Sequence, residues 1–189
     1  CDCTGHGVPG AMVSVVCHNA LDRSIREFQL KEPNEILDKT RELVVETFQK
    51  SEEDVKDGMD IALCVWNKKK KTLKYAGANN PLWIIRGDEI VETKPNKQPI
   101  GNYANPHPFT GHDIEIQEDD QIFVFTDGYA DQFGGEKGKK MKSKNFKLLL
   151  LKYKNFLPEL QKKHLDEEFD EWKGKLEQLD DVCVIGVQL

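Results

Sequence analysis

Apolar positions along the chain change their period near Met59. Before it, the run GAMVSVVCHNALDRSIREF carries Met12, Val16, Leu21, Ile25 and Phe28 at mostly helical spacing, and Pro9 suits a first helical turn. A helix is expected from about Pro9 to Phe28. The stretch EPNEILDKTRELVVETFQKS has Pro33 near its start and Ile36, Leu37, Leu43, Val44 and Phe48 on one face, which predicts a second amphipathic helix. The two are expected side by side on a sheet, with their apolar stripes in the core.

After Met59 the apolar runs are short. MDIALCVWN, TLKYAGANN, LWIIRG and EIVETK are separated by a Lys-rich turn at Lys68 to Lys71, by Asn-Asn-Pro and by Gly-Asp, a pattern that predicts an antiparallel meander. PNKQPIGNYANPHPFTG reads as an ordered loop. HDIEIQ and QIFVFTD read as strands joined by the acidic turn Glu118, Asp119, Asp120. Helical periodicity returns from Asn145 to Lys175, and DVCVIGVQL is a final strand. Helices, antiparallel strands, helices and a last strand give an α+β layered fold.

Composition narrows the class. A chain of 189 residues with 38% hydrophobic and 32% charged residues suits one soluble domain, and no apolar run approaches a membrane span. The net charge of -6 argues against nucleic acid as a partner. Five scattered cysteines without CxxC spacing indicate neither a zinc knuckle nor a disulfide framework, so a reducing cytoplasm is the expected location. No signal peptide is recognisable at the start.

Acidic residues recur at comparable addresses. Asp2 abuts the glycine-rich turn of CDCTGHGVPG, Asp127 ends IFVFTDG, and Asp180 and Asp181 precede VCVIGV. Carboxylates at the ends of neighbouring strands can converge on a hard cation, and the chemistry suggested is magnesium or manganese. Each has a plainer reading as a turn or edge residue. Sequence signatures of covalent catalysis are unconvincing: the Cys17-x5-Arg23 spacing falls inside the expected first helix and not in a phosphate-binding loop, and there is no Gly-x-Ser-x-Gly elbow. A phosphate loop is also discounted, because the glycine-rich opening lacks the following Lys-Ser/Thr.

In order, DCTGHGVPGA, YAGANNPLWIIR, FTDGYADQFGG and DDVCVIGV resemble the metal-dependent protein phosphatase superfamily, in particular its bacterial branch typified by stage II sporulation protein E and RsbU. The resemblance implies an α-β-β-α sandwich of antiparallel sheets flanked by helices, and hydrolysis of phosphoserine or phosphothreonine in proteins by a metal-activated water at two Mn or Mg ions. It implies that Asp2 bridges both ions, that the backbone carbonyl of Cys3 is a further ligand, and that Asp127 and Asp180, with Asp181 as the alternative, hold the first ion.

Asp131 is implied as a ligand of a third ion, or else as a solvated helix-start acid. His6, between two glycines, is a candidate proton donor to the leaving group, or a purely structural turn residue. Lys137, Lys139 and Lys140, in what reads as a flexible loop, are candidates for attracting a phosphoprotein. Asp57 and Asp60 line the rim or cap a strand.

The resemblance further implies an outer hairpin before Asp2. Residues 1–189 are therefore expected to be a single phosphatase domain cut at its first metal motif, with an exposed strand edge that favours self-association. The expected setting is the output module of a bacterial signalling protein with upstream sensor domains, acting on an anti-sigma-factor antagonist or similar regulator. The parent chain could be membrane-anchored. The rival reading is a non-catalytic interaction or sensor module that keeps the fold.

Overall fold

The structure, a computed structural model, describes residues 1–5, 7–49 and 57–188. The chain divides into two compact units, the first formed by residues 1–82 and 94–116 and the second by residues 83–93 and 117–189.

The first unit sets two helices, α1 (Gly7–Arg26) and α2 (Pro33–Gln49), on an antiparallel sheet. That sheet runs β1 (Asp2–Cys3), β2 (Gly58–Asn67), β3 (Thr72–Ala78), β7 (His112–Glu115), with β6 (Ile100–Gly101) also paired to β2. The expected helices are present, but α1 turns a different face inward. Met12, Ile25 and Phe28 are exposed, and the buried positions are Gly10, Val13, Cys17, Ala20 and Ser24. These keep helical spacing and are all small, which is what close approach to α2 requires. At the contact the buried hydroxyls of Ser24 and Thr40 lie 3.0 Å apart. Each also donates within its own helix, Ser24 to the Ala20 carbonyl and Thr40 to that of Ile36, so neither polar group is left unsatisfied.

The expected meander does not continue past β3. Two further strands, β4 (Leu82–Arg86) and β5 (Glu89–Thr93), belong to the second unit's sheet, in which β8 (Gln121–Phe125) pairs with β4 and β11 (Val184–Gln188) pairs with β8. The break has a local cause. The Tyr75 hydroxyl donates to the Asn80 carbonyl at 2.7 Å, Asn79 takes a left-handed φ of 58°, and a Cβ on Gly77 would lie 2.1 Å from the Tyr75 hydroxyl oxygen. Together these turn the chain out of the first sheet before Pro81.

Likewise β7 and β8 form no hairpin, since β7 pairs with β3. The acidic turn between them instead buries Asp120, 1% exposed, whose carboxylate accepts Arg86 Nε at 3.0 Å and Nη2 at 2.6 Å and caps the Gln117 amide.

The loop of residues 95–111 is ordered by a buried side chain. Gln98 donates to the His107 carbonyl at 2.7 Å and accepts the His107 amide at 3.1 Å, imitating a strand partner.

The second unit also contains α3 (Gly128–Asp131), the short strands β9 (Phe133–Gly134) and β10 (Lys139–Lys140), α4 (Lys142–Tyr153) and α5 (Pro158–Lys173). The helical stretch read as Asn145 to Lys175 is thus two helices. Leu157, preceding Pro158, is extended with ψ 148°, as a residue before proline prefers. Their inner faces and the sheet enclose an aromatic core: Trp83 lies 4.3 Å from Phe125 by ring centroids, and Tyr129 stacks on Phe146 at 4.4 Å. Trp83 is 2% exposed, and its indole nitrogen finds no hydrogen-bond partner among the described residues. Strand β11 is the sheet's edge, with Ile185 and Val187 exposed.

Candidate metal centre

Within the second unit, β8 ends where β11 begins, and one side chain fastens the two. Thr126 Oγ1 donates to the Asp181 carbonyl at 2.7 Å and accepts the Cys183 amide at 2.9 Å. Gly128 completes the joint, since a Cβ there would stand 2.4 Å from the Asp181 carbonyl oxygen. The Asp180–Asp181 segment is thereby held against the Asp127 turn. Asp180 folds its carboxylate onto the Asp181 amide at 2.8 Å, and Asp181 is tied through its backbone. Thr126→Val keeps the shape but removes both bonds, so a stability loss of about 1–3 kcal/mol and weaker divalent-ion uptake are expected in denaturant melts and Mn titration.

Asp127 precedes α3 with no side-chain cap to the helix. Burial lifts its carboxyl above the usual carboxylate range, the negative charges of Asp180 and Asp131 add to this, and Lys140 opposes it. Asp127 and Asp180 are close enough to repel. Asp131, one helical turn on, is ion-paired to Lys140 at 2.5 Å. Hard oxygen donors that repel one another suit a divalent cation such as Mg or Mn.

The other expected ligands, Asp2 and Cys3, belong to the first unit. Asp2 stands opposite Asp60 in the β1–β2 ladder, and Cys3 opposite Met59. Thr4 links this strand to the next: its amide donates to the Gly58 carbonyl at 2.9 Å, its hydroxyl donates to Asp57 Oδ1 at 2.9 Å, and the Gly58 amide returns to the hydroxyl at 3.0 Å. Asp60 accepts Asn79 Nδ2 at 2.8 Å. Asp57 and Asp60 thus anchor neighbours. The Cys3 thiol meets the buried Cys17 thiol, whose hydrogen bond draws Cys3 down to about 6, while Cys17 itself is pushed up.

Among the described residues no group of three or more His, Cys, Asp or Glu is gathered closely enough to hold a metal ion. His6 lies outside the described residues. The lysines read as a flexible loop sit on an ordered ribbon: β9 and β10 pair as Lys139↔Gly134 and Lys140↔Phe133, with Lys137 in the turn between them. Among the holding residues, Thr126 and Thr4 adjoin the acids in FTDG and DCTG and could have been found there. Asn79 lies 19 residues from Asp60, and nothing local signals the bond.

The stage II sporulation protein E (SpoIIE) sequence profile matches residues 1–189. No curated protein matches significantly. Among solved structures, the PP2C domain of SiaA from Pseudomonas aeruginosa is 25% identical, with a TM-score of 0.87 over 99% of this chain and 72% of that one. The PP2C phosphatase domain and regulatory-domain fragment of SpoIIE from Bacillus subtilis is 16% identical, with a TM-score of 0.73 over 98% of this chain and 52% of that one. A Mycobacterium tuberculosis protein, through its RsbU and RsbW domains, is 17% identical, with a TM-score of 0.72 over 99% of this chain and 49% of that one. The chain therefore spans about half the length of the last two. With every residue inside the family profile and the fold shared with PP2C domains, the chain belongs to the SpoIIE family and has the fold of a PP2C domain.

Proposed function

We propose that this domain hydrolyses phosphoserine or phosphothreonine in a protein substrate, with Asp2, the Cys3 carbonyl, Asp127 and Asp180 holding two divalent ions. The observation that carries the reading is the Thr126 joint, which sets Asp180 beside Asp127 in a chain of this family. Two related proteins support the ion class: RsbX is in complex with magnesium, and the B. subtilis SpoIIE phosphatase domain was presoaked with manganese. Bound ions supply Lewis acidity that lowers the pKa of a water and clamps phosphate oxygens.

The protein's own part is to fix the carboxylates. Thr126 and Gly128 set the Asp127–Asp180 approach, and Thr4 ties β1, which carries Asp2, to Gly58. His6 would give a proton to the departing serine oxygen. Lys137 and Lys139, exposed on the ribbon, would draw in the phosphoprotein.

The setting we propose is the output module of a bacterial signalling protein, cytoplasmic and fed by sensor domains elsewhere in the parent chain, acting on an anti-sigma-factor antagonist or similar regulator. The regulatory-domain fragment in the SpoIIE structure and the RsbU–RsbW pairing in the mycobacterial protein support it. No helix among the described residues is long and apolar enough to cross a membrane. A non-catalytic module is not favoured, because Asp2, Asp127 and Asp180 are all kept.

The test is phosphate release from a phosphoserine peptide. Turnover is expected with millimolar Mn or Mg, to vanish in EDTA and to return when the metal is restored. Activity indifferent to chelation would overturn the metal reading.

A further inference from the structure

The ribbon formed by β9 and β10 is fastened at its base by one residue. Trp172, near the end of α5, accepts the Gly135 amide on its carbonyl at 2.8 Å and donates its indole N–H to the Gln132 carbonyl at 2.9 Å. The approach is too close for side chains, since a Cβ on Gly134 would stand 1.9 Å from the Trp172 carbonyl oxygen. Gly135 and Gly138 take left-handed φ values of 64° and 53°, and the Gly138 amide returns to the Gly135 carbonyl at 3.2 Å, closing the turn.

Gln132 is pinned from both sides. It is 2% exposed, its side-chain amide donates to the Phe133 and Glu177 carbonyls, and its carbonyl also accepts the Met141 amide. The backbone that carries Lys140 is thus set at both ends. Lys140 faces Phe133 across the ribbon, with Nζ 5.9 Å from the ring centre and 2.5 Å from Asp131 Oδ2.

An exposed lysine–carboxylate pair on mobile backbone contributes little, because two long side chains must be held in place. Here the backbone is already fixed, and so is Asp131, whose amide donates to the Asp127 carbonyl at 2.9 Å. We infer that Lys140 is the protein's built-in cation at Asp131, keeping that carboxylate out of the divalent-ion set of Asp127 and Asp180, and that Trp172 is the residue that positions it. The inference rests on reading this site as a metal site. An ammonium on Asp131 Oδ2 occupies that oxygen, so a divalent ion must bind against, or displace, a positive charge to use it.

The experiment counts Mn bound to the 189-residue chain, without substrate, by calorimetry and by the signal of free Mn in electron paramagnetic resonance. Lys140→Met is expected to bind one more Mn per chain than wild type, or to bind at Asp131 about tenfold more tightly, the effect of about 1.4 kcal/mol. Lys140→Arg should titrate as wild type. Adding Asp131→Asn to Lys140→Met should remove the gained ion. Trp172→Phe, which loses the indole bond, should fall between wild type and Lys140→Met.

A Lys140→Met protein that titrates as wild type overturns the inference while leaving the metal centre standing. No Mn on wild type but one on Lys140→Met, lost with Asp131→Asn, overturns the two-ion reading and supports the inference. No Mn on either overturns both. Trp172→Phe indistinguishable from wild type overturns the role given to Trp172.

Discussion

Asp127→Asn is expected to lower metal-dependent phosphatase turnover by about a thousandfold or more, since loss of a ligand forfeits several kcal/mol of metal-derived stabilisation. The same change should make the metal-free protein more stable at neutral pH. Burial, and then repulsion from Asp180 and Asp131, raises the Asp127 carboxyl. A carboxyl whose folded value lies above its unfolded one contributes stability that is full below the unfolded value of about 3.9 and is lost as pH rises through the raised folded value. Asparagine carries no charge to lose, so the variant's stability should depend less on pH across that window. Thermal melts in EDTA between pH 3 and 7, beside peptide turnover in Mn, test both halves. Full turnover in Asp127→Asn would remove this residue from the metal centre, and unchanged melts would mean the repulsion is relieved elsewhere.

Arg86→Ala is expected to cost about 3–5 kcal/mol of stability, because it strands the Asp120 carboxylate in the second unit. Asp120 is 1% exposed and accepts two guanidinium donors at 3.0 and 2.6 Å, with the Gln117 amide as a further donor. One amide cannot replace a forked positive partner for a charge cut off from water. Arg86→Lys should recover part of the loss, since an ammonium restores the charge but not the fork. Urea unfolding measures both, and a cost under about 1 kcal/mol for the alanine variant would show that the carboxylate is satisfied without Arg86.

The contrast between what the sequence discloses and what it conceals follows range. Both early helices and most strands could be read from periodicity, and the addresses of Asp2, Asp127 and Asp180 beside strands were legible because DCTG, FTDG and DDVC mark them locally. Pairing was not. β3 and β4 look like successive strands of a meander, and only the bond from Tyr75 to Asn80, with the lack of room at Gly77, sends the chain to another sheet. Nothing local to the acidic turn discloses that Asp120 is buried, because its partner Arg86 lies 34 residues earlier. On α1 the large apolar residues drew attention, while the buried face is built from small ones chosen by α2. The lysine ribbon reads as a flexible loop because Trp172, its anchor, stands in the sequence only as one more apolar position on a helix.

The burial of Trp83 has an optical consequence. An indole packed on Phe125 and Phe146, with the Lys147 ammonium over its ring and no hydrogen-bond partner among the described residues, emits from a site shielded from water. Trp66, in the other unit, is only partly buried. Trp172, in the same unit as Trp83, is partly buried as well, so the blue component belongs to Trp83 alone; its loss follows the second unit as it opens, and a chain in which Trp83 is the sole tryptophan would carry its own fluorophore for the half of the molecule that holds Asp127.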